Sequence, residues 1–246
     1  MDSISQKHIE NSKFQITLIL LLCVVTFFFA IFAMGWGSSS NLDLLTTMKI
    51  IFGFESGDQL QSDIIWQLRF PRILMAIVGG AALATAGALM QGCLGNPLVS
   101  PLTLGVASGA ALGAAFAIVL GFSIVSNSDL AIVANAFLFS LVVVAIIIQL
   151  GNLRSITAES YILVGIAITF IAGAIVSTMQ YFATDAQLSQ LAHWSFGSLS
   201  RPTLENALWV SVVVIGLMPS ALKYAWDLNT LSLGGDDFAI STGVDP

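Results

Sequence analysis

Long stretches without a charged residue alternate with short polar ones along this chain. That rhythm predicts a series of membrane-crossing helices. The uncharged runs are Ile16 to Trp36, Ile73 to Gly92, Leu102 to Gly121, Leu130 to Leu150, Tyr161 to Ala183 and Leu208 to Leu222. Each reaches or approaches the ~20 apolar residues that let a helix cross a ~30 Å hydrocarbon core. The last run is shortest, and Thr203 after Pro202 offers an N-cap that would lengthen it. The first follows Lys7 and Lys13. It reads either as a signal peptide or as a retained helix, and it outruns the usual signal core of about 7–15 residues, so retention is expected. The fold class predicted is all-α, a polytopic transmembrane helix bundle with about six spans.

Composition agrees with that reading. Only 9% of the residues are charged and 57% are hydrophobic, against about 25% and about 45–50% in a soluble domain. The net charge of −6 leaves no basic cluster for a nucleic-acid partner. Cys23 and Cys93 both lie in apolar runs and read as small hydrophobes rather than a disulfide or metal pair. Basic residues divide evenly: Lys7, Lys13, Arg154 and Lys223 on one set of loops, Lys49, Arg69, Arg72 and Arg201 on the other. The loop-charge rule therefore gives no orientation. Domain boundaries are expected at 1–15 (a tail), 16–222 (the bundle) and 223–246 (a polar end segment).

Small residues recur every fourth position in three runs: Ala76, Gly80, Ala84, Ala88; Gly105, Gly109, Gly113, Ala117; and Gly165, Thr169, Gly173, Ser177. Such stripes allow the close backbone approach on which helix association in lipid depends. Between the second and third runs, Gly92, Gly95, Asn96, Pro97, Ser100 and Pro101 crowd together. Proline lacks the backbone donor and pushes its predecessor out of the helical region, so a tight turn is predicted there.

Catalytic signals are sparse. No phosphate-binding loop of the G-x-x-x-x-G-K type occurs. His8 and His193 lack the neighbours of a zinc site. Ser108 followed by His193 invites a membrane serine-protease reading, but Val106 stands where the rhomboid motif has Gly. Asp129, Glu159, Asp185 and Glu205 fall at span ends or in loops, leaving no mid-membrane carboxylate for an ion relay. A secondary carrier or channel, and an intramembrane enzyme, are the rival readings. No cofactor is expected.

Five further segments stand in one order. They are Arg69-Phe70-Pro71-Arg72; Gly79-Gly80 through Gln91; Asn96-Pro97-Leu98-Val99-Ser100-Pro101 with Leu104 to Ala110; His193 to Leu199; and Asp227-Leu228-Asn229 leading to Gly235-Asp236-Asp237-Phe238-Ala239 with Gly243-Val244. Together, from about Gln67 to the last residue, they resemble the FecCD-type permease family of ABC importers for iron-siderophores, haem and cobalamin.

The resemblance implies a multi-pass permease of the cell membrane with its N-terminus cytoplasmic, acting as a homodimer. It implies ATP-binding subunits on the cytoplasmic face and an extracytoplasmic substrate-binding protein opposite. Arg69 and Arg72 match the pair that meets carboxylates of the binding protein, a contact suited to guanidinium forks. Gly235, Asp236, Asp237, Phe238, Ala239 and Gly243 match the ATPase-coupling segment. Gly234 stands as an extra glycine, and Ile240 replaces a basic or polar residue. Thr85, Gln91 and Asn96 are candidates for the translocation pathway. The family has about ten helices against the six spans expected here. The expectation is a fragment or truncated reading frame, with a second polypeptide supplying the rest as the alternative.

Overall fold

The computed structural model describes residues 3–37, 42–54, 58–126, 128–151, 157–200 and 202–244. Every element among them is a helix, in the order α1 (Ser3–Gly35), α2 (Leu44–Ile51), α3 (Gln59–Asp63), α4 (Phe70–Leu94), α5 (Val106–Leu120), α6 (Ser128–Gly151), α7 (Ala158–Phe182), α8 (Asp185–Phe196), α9 (Leu204–Lys223) and α10 (Ala225–Ser241). A π-helical segment, Ile64–Arg69, joins α3 to α4, making one helical run of 36 residues. The all-α fold is thus as the apolar pattern predicts. Among the described residues, five runs are long and apolar enough to cross a membrane.

The third expected span is the exception. Only its second part, Val106–Leu120, is α-helical, 15 residues or roughly 22 Å of rise. Residues 101–105 form turns instead. Pro101 cannot continue a ladder. Ser100 and Thr103 bond each other's backbone amides through their hydroxyls at 2.8 and 3.3 Å, and Gly105 takes a left-handed φ of 77°. At the N-terminus α1 is continuous from Ser3, so the expected tail and the first span share one helix. The last span begins at Leu204, with Asn206 N donating to Thr203 Oγ1 at 3.3 Å. Loop residues Arg154 and Arg201 lie outside the described residues.

The chain divides into two compact units, Met1–Val78 with Leu199–Val212, and Gly79–Ser198 with Val213–Pro246. In the first, α2 and the π segment pack on the end of α1, and Met34, Leu42 and Ile65 form the buried cluster. Asp43 caps α2 by accepting from Thr46 N at 2.9 Å.

In the second, α5 is the centre. It packs against α6, α7 and α8, and Ala115, Ile118, Met179 and Leu191 are buried there. Glycine makes this possible. A β carbon on Gly109 would stand 3.0 Å from the Phe139 carbonyl oxygen, one on Gly113 would strike the Asn135 backbone, and one on Gly165 would strike Thr103 and Leu104. Gly105 lies against the Gly165 carbonyl and Ile168. So the second stripe and the first part of the third are packing seams.

At Gly80 and Gly173 no packing neighbour stands among the described residues. A β carbon at either would meet nothing within 4 Å, because no other described element approaches those faces. Two polar side chains that periodicity does not single out finish the block. Asn135, fully buried, donates to the Phe122 carbonyl at 2.6 Å and accepts from Ile124 N at 3.3 Å. Gln187 donates to the carbonyls of Ile118 and Val119, both at 3.1 Å, closing the C-terminal end of α5.

Candidate functional site

Arg69 and Arg72 share one face of the helical run, three residues apart. They line a cleft of about 360 Å³ with Trp36, Ile64, Leu68 and Ile73. Their surroundings differ. Arg69 is half-buried, and its Nη1 donates to the Met34 carbonyl at 2.5 Å. That carbonyl belongs to the last turn of α1, where unpaired acceptors and the negative end of the helix dipole favour a cation. The guanidinium also lies so close over Gly37 that a β carbon there would stand 2.9 Å from Cζ. Arg72 is exposed. Of the expected docking pair, Arg69 has a structural task and Arg72 presents its charge outward.

Thr85, Gln91 and Asn96 do come together, along a cleft of about 690 Å³ in the second unit. Its walls are the C-terminal half of α4, the turn at 95–97, and Ala225, Leu228, Asn229 and Ser232 of α10. Each of the three polar side chains already has an intramolecular bond. Thr85 donates to the Ala81 carbonyl at 2.8 Å. Gln91 donates to the carbonyls of Pro97 and Val99 at 3.0 and 3.3 Å, and Asn96 Oδ1 accepts from Leu98 N at 2.9 Å. Gln91 and Asn96 therefore shape the turn as well as line the cleft. A second cleft of about 360 Å³, mostly apolar, runs between α4 and α9 and again includes Thr85.

The segment expected to couple to an ATPase is built by three glycines. Gly235 has φ 70° and ψ −167° and breaks α10 into two parts, a conformation open essentially to glycine alone. Gly234 is the apparent extra residue of the motif. Its role is spatial, since a β carbon there would come 2.6 Å from Cγ of Phe238. At the far end Gly243 has φ 84°, with Gly243 N donating to Ile240 O at 3.0 Å and Val244 N to Ala239 O at 2.9 Å. That is a Schellman closure, and the two residues that flank it, Ala239 and Val244, are both buried. Asp237, Phe238 and Ile240 are left exposed on the short helix between. The side chain of Asp236 lies outside the described residues.

The rival chemistry finds no geometry. Ser108 donates to Thr169 Oγ1 at 3.3 Å across the α5/α7 seam, while His193 is exposed on α8. Among the described residues no group of three His, Cys, Asp or Glu side chains is placed to hold a metal ion. Glu159, Asp185 and Glu205 each sit in the first turn of a helix, where the dipole favours them.

The model of the FecCD transport family matches residues 18–246. The chain belongs to that family. An ABC transporter permease protein of Methanocaldococcus jannaschii is 35% identical over 98% of the chain and 70% of its own length. The hemin transport system permease protein HmuU of Yersinia pestis is 34% identical over 89% of the chain. The chain spans 65% of that relative's length. A solved structure titled as an inward-facing conformation of a metal-chelate type ABC transporter superposes with a TM-score of 0.75 at 29% identity, covering 93% of this chain and 68% of that one.

Membership accounts for what the sequence leaves unexplained in this fold. Helices such as α1, with none of its most apolar window buried, are those of a multi-span membrane protein.

Proposed function

We propose that the chain is the membrane-spanning permease portion of a binding-protein-dependent ABC importer. Its cargo is an iron-siderophore or a related metal chelate such as haem or cobalamin, moved inward on ATP hydrolysed by separate subunits. The supporting observation is the short helix held between Gly235 and the Gly243 closure. It offers Asp237, Phe238 and Ile240 to a partner. Relatives named for hemin and metal-chelate transport support the cargo class.

In this reading α10 is cytoplasmic, as is the N-terminus, and the start of α4 faces the binding protein. Arg72 is the docking cation, and Arg69 holds the neighbouring helix end in place. Two copies pair around the passage, which the cleft along Thr85, Gln91 and Asn96 borders at its inner end.

The experiment is co-purification. The tagged chain, extracted in mild detergent, should retain ATP-binding subunits, and the triple change Asp237→Lys, Phe238→Ala, Ile240→Ala should release them without lowering the amount of chain in the membrane. Uptake in vesicles without any ATP-binding subunit would sink the proposal and favour an ATP-independent carrier.

A further inference from the structure

Within the second unit, α4 and the coupling segment meet at a bare patch of backbone. A β carbon on Gly92 would lie 3.3 Å from Cβ of Leu228 and 3.4 Å from its Cδ2. The leucine therefore rests directly on the last turns of α4, with no intervening side chain to swing aside. One residue earlier, Gln91 ties the same turn of α4 to the carbonyls of Pro97 and Val99. The backbone adds Asn96 N to Gln91 O at 3.2 Å. The end of α4 and the turn after it are thus one connected piece.

The neighbouring helices differ in their freedom. α5, α6 and α7 are locked by glycine contacts tighter than a methyl group allows. By contrast, Gly79, Gly80 and Gly87 of α4 have nothing within 4 Å of where a β carbon would be. The side chain of Leu228 thus meets α4 at Gly92, on a helix whose other three glycines carry no close neighbour among the described residues.

We infer that the Leu228–Gly92 contact is where displacement of the coupling segment is delivered to α4 and the Asn96-Pro97 turn, changing the width of the cleft they line. Leu228 and Gly92 are positioning residues in this account. It rests on the reading of α10 as the ATPase-docking segment. Packed interiors transmit displacement because they lack room to absorb it. Removing the leucine leaves α10 docked but its motion unspent on α4.

The test uses the chain in complex with its ATP-binding subunits, with Cys23 and Cys93 changed to Ser and nitroxide labels on Leu98→Cys and Ser232→Cys. Leu98 is exposed on the turn and Ser232 exposed on the cleft wall. ATP with vanadate should shift the label-to-label distance. Leu228→Ala and Gly92→Leu should each clearly reduce that shift. Leu228→Met, of similar volume, should keep it. ATPase association, measured on the same samples, should be unchanged throughout. A full shift in Leu228→Ala overturns the inference. If the unsubstituted chain binds no ATP-binding subunit, the proposed function itself fails, and that result appears before any variant is made.

Discussion

Arg69 Nη1 bonds the carbonyl oxygen of Met34, 35 positions earlier in the chain, so a residue expected to face a partner protein also holds the end of α1. Arg69→Ala should cost about 1.5–3 kcal/mol, the range for a hydrogen bond to a charged group, read as a lower unfolding temperature in detergent. Arg72→Ala should leave that temperature unchanged. Arg72→Glu should weaken association with the binding protein, which a pull-down with the purified pair would measure. Equal loss of association and no loss of stability in the two alanine variants would restore a common docking role.

Gly113 and Gly80 look alike in the sequence, each in a stripe of small residues. They should behave oppositely. Gly113→Ala forces a methyl group into the Asn135 backbone, and overpacking of that kind costs about 1–3 kcal/mol. Gly80→Ala meets nothing within 4 Å and should be neutral, or stabilising by up to roughly 1 kcal/mol through helix preference. Thermal unfolding of the two variants in one detergent separates them.

This contrast marks how far the sequence can be read. Charge-free runs fix where helices lie, because lipid demands internally bonded backbone of a set length. They do not say which face of a helix meets a neighbour. The stripe at Gly109 and Gly113 and the one at Gly80 share a spacing, and the difference lies in what stands opposite. The short start of α5 was hidden for another reason: Leu102 to Gly105 is as apolar as helix, and its turn is set by side-chain bonds of Ser100 and Thr103. At the candidate site, residue types identify Gly235 and Arg72, while the tasks of Gly234, Gln91 and Arg69 emerge only from their contacts.

Asn135 should prove the least replaceable polar residue in the α5–α8 block. It is wholly buried and serves both the Phe122 carbonyl and the Ile124 amide. Asn135→Leu keeps volume but leaves two backbone groups without that partner, at about 1–3 kcal/mol each if they stay dry. Hydrogen exchange at the Ile124 amide should rise sharply in the variant, and Asn135→Asp should retain part of the protection.

Asp43 gives a pH signature. Its carboxylate accepts hydrogen bonds from Thr46, which hold its pKa below the ordinary value. A lowered folded pKa means the cap is fully formed above the unfolded pKa, near pH 4, and is lost as pH falls through the folded value. Amide exchange at Thr46 in α2 should therefore accelerate on acidification below about pH 4. Asp43→Asn, which keeps the acceptor and removes the titration, should flatten that dependence.

The two adjacent glycines of the coupling segment should fail in different ways. Gly235 is required for its backbone, φ 70° and ψ −167°, a region where any side chain is strained by about 1–3 kcal/mol. In Gly235→Val the easiest relief is to straighten α10 into one helix, which redirects Asp237 and Phe238. Gly234 lacks a positive φ, and Gly234→Ala instead collides with the Phe238 side chain, displacing one ring while the break survives. Co-purified ATP-binding subunit per chain should therefore fall to background in Gly235→Val and only in part in Gly234→Ala. Combining Gly234→Ala with Phe238→Leu, which trims the ring, should restore some binding, whereas Phe238→Leu should do nothing for Gly235→Val. Gly216→Ala, at a glycine with open space around it, is the control for membrane levels. Identical losses in both single variants, with no rescue, would mean that the segment needs flexibility at this dipeptide rather than the bent geometry seen here.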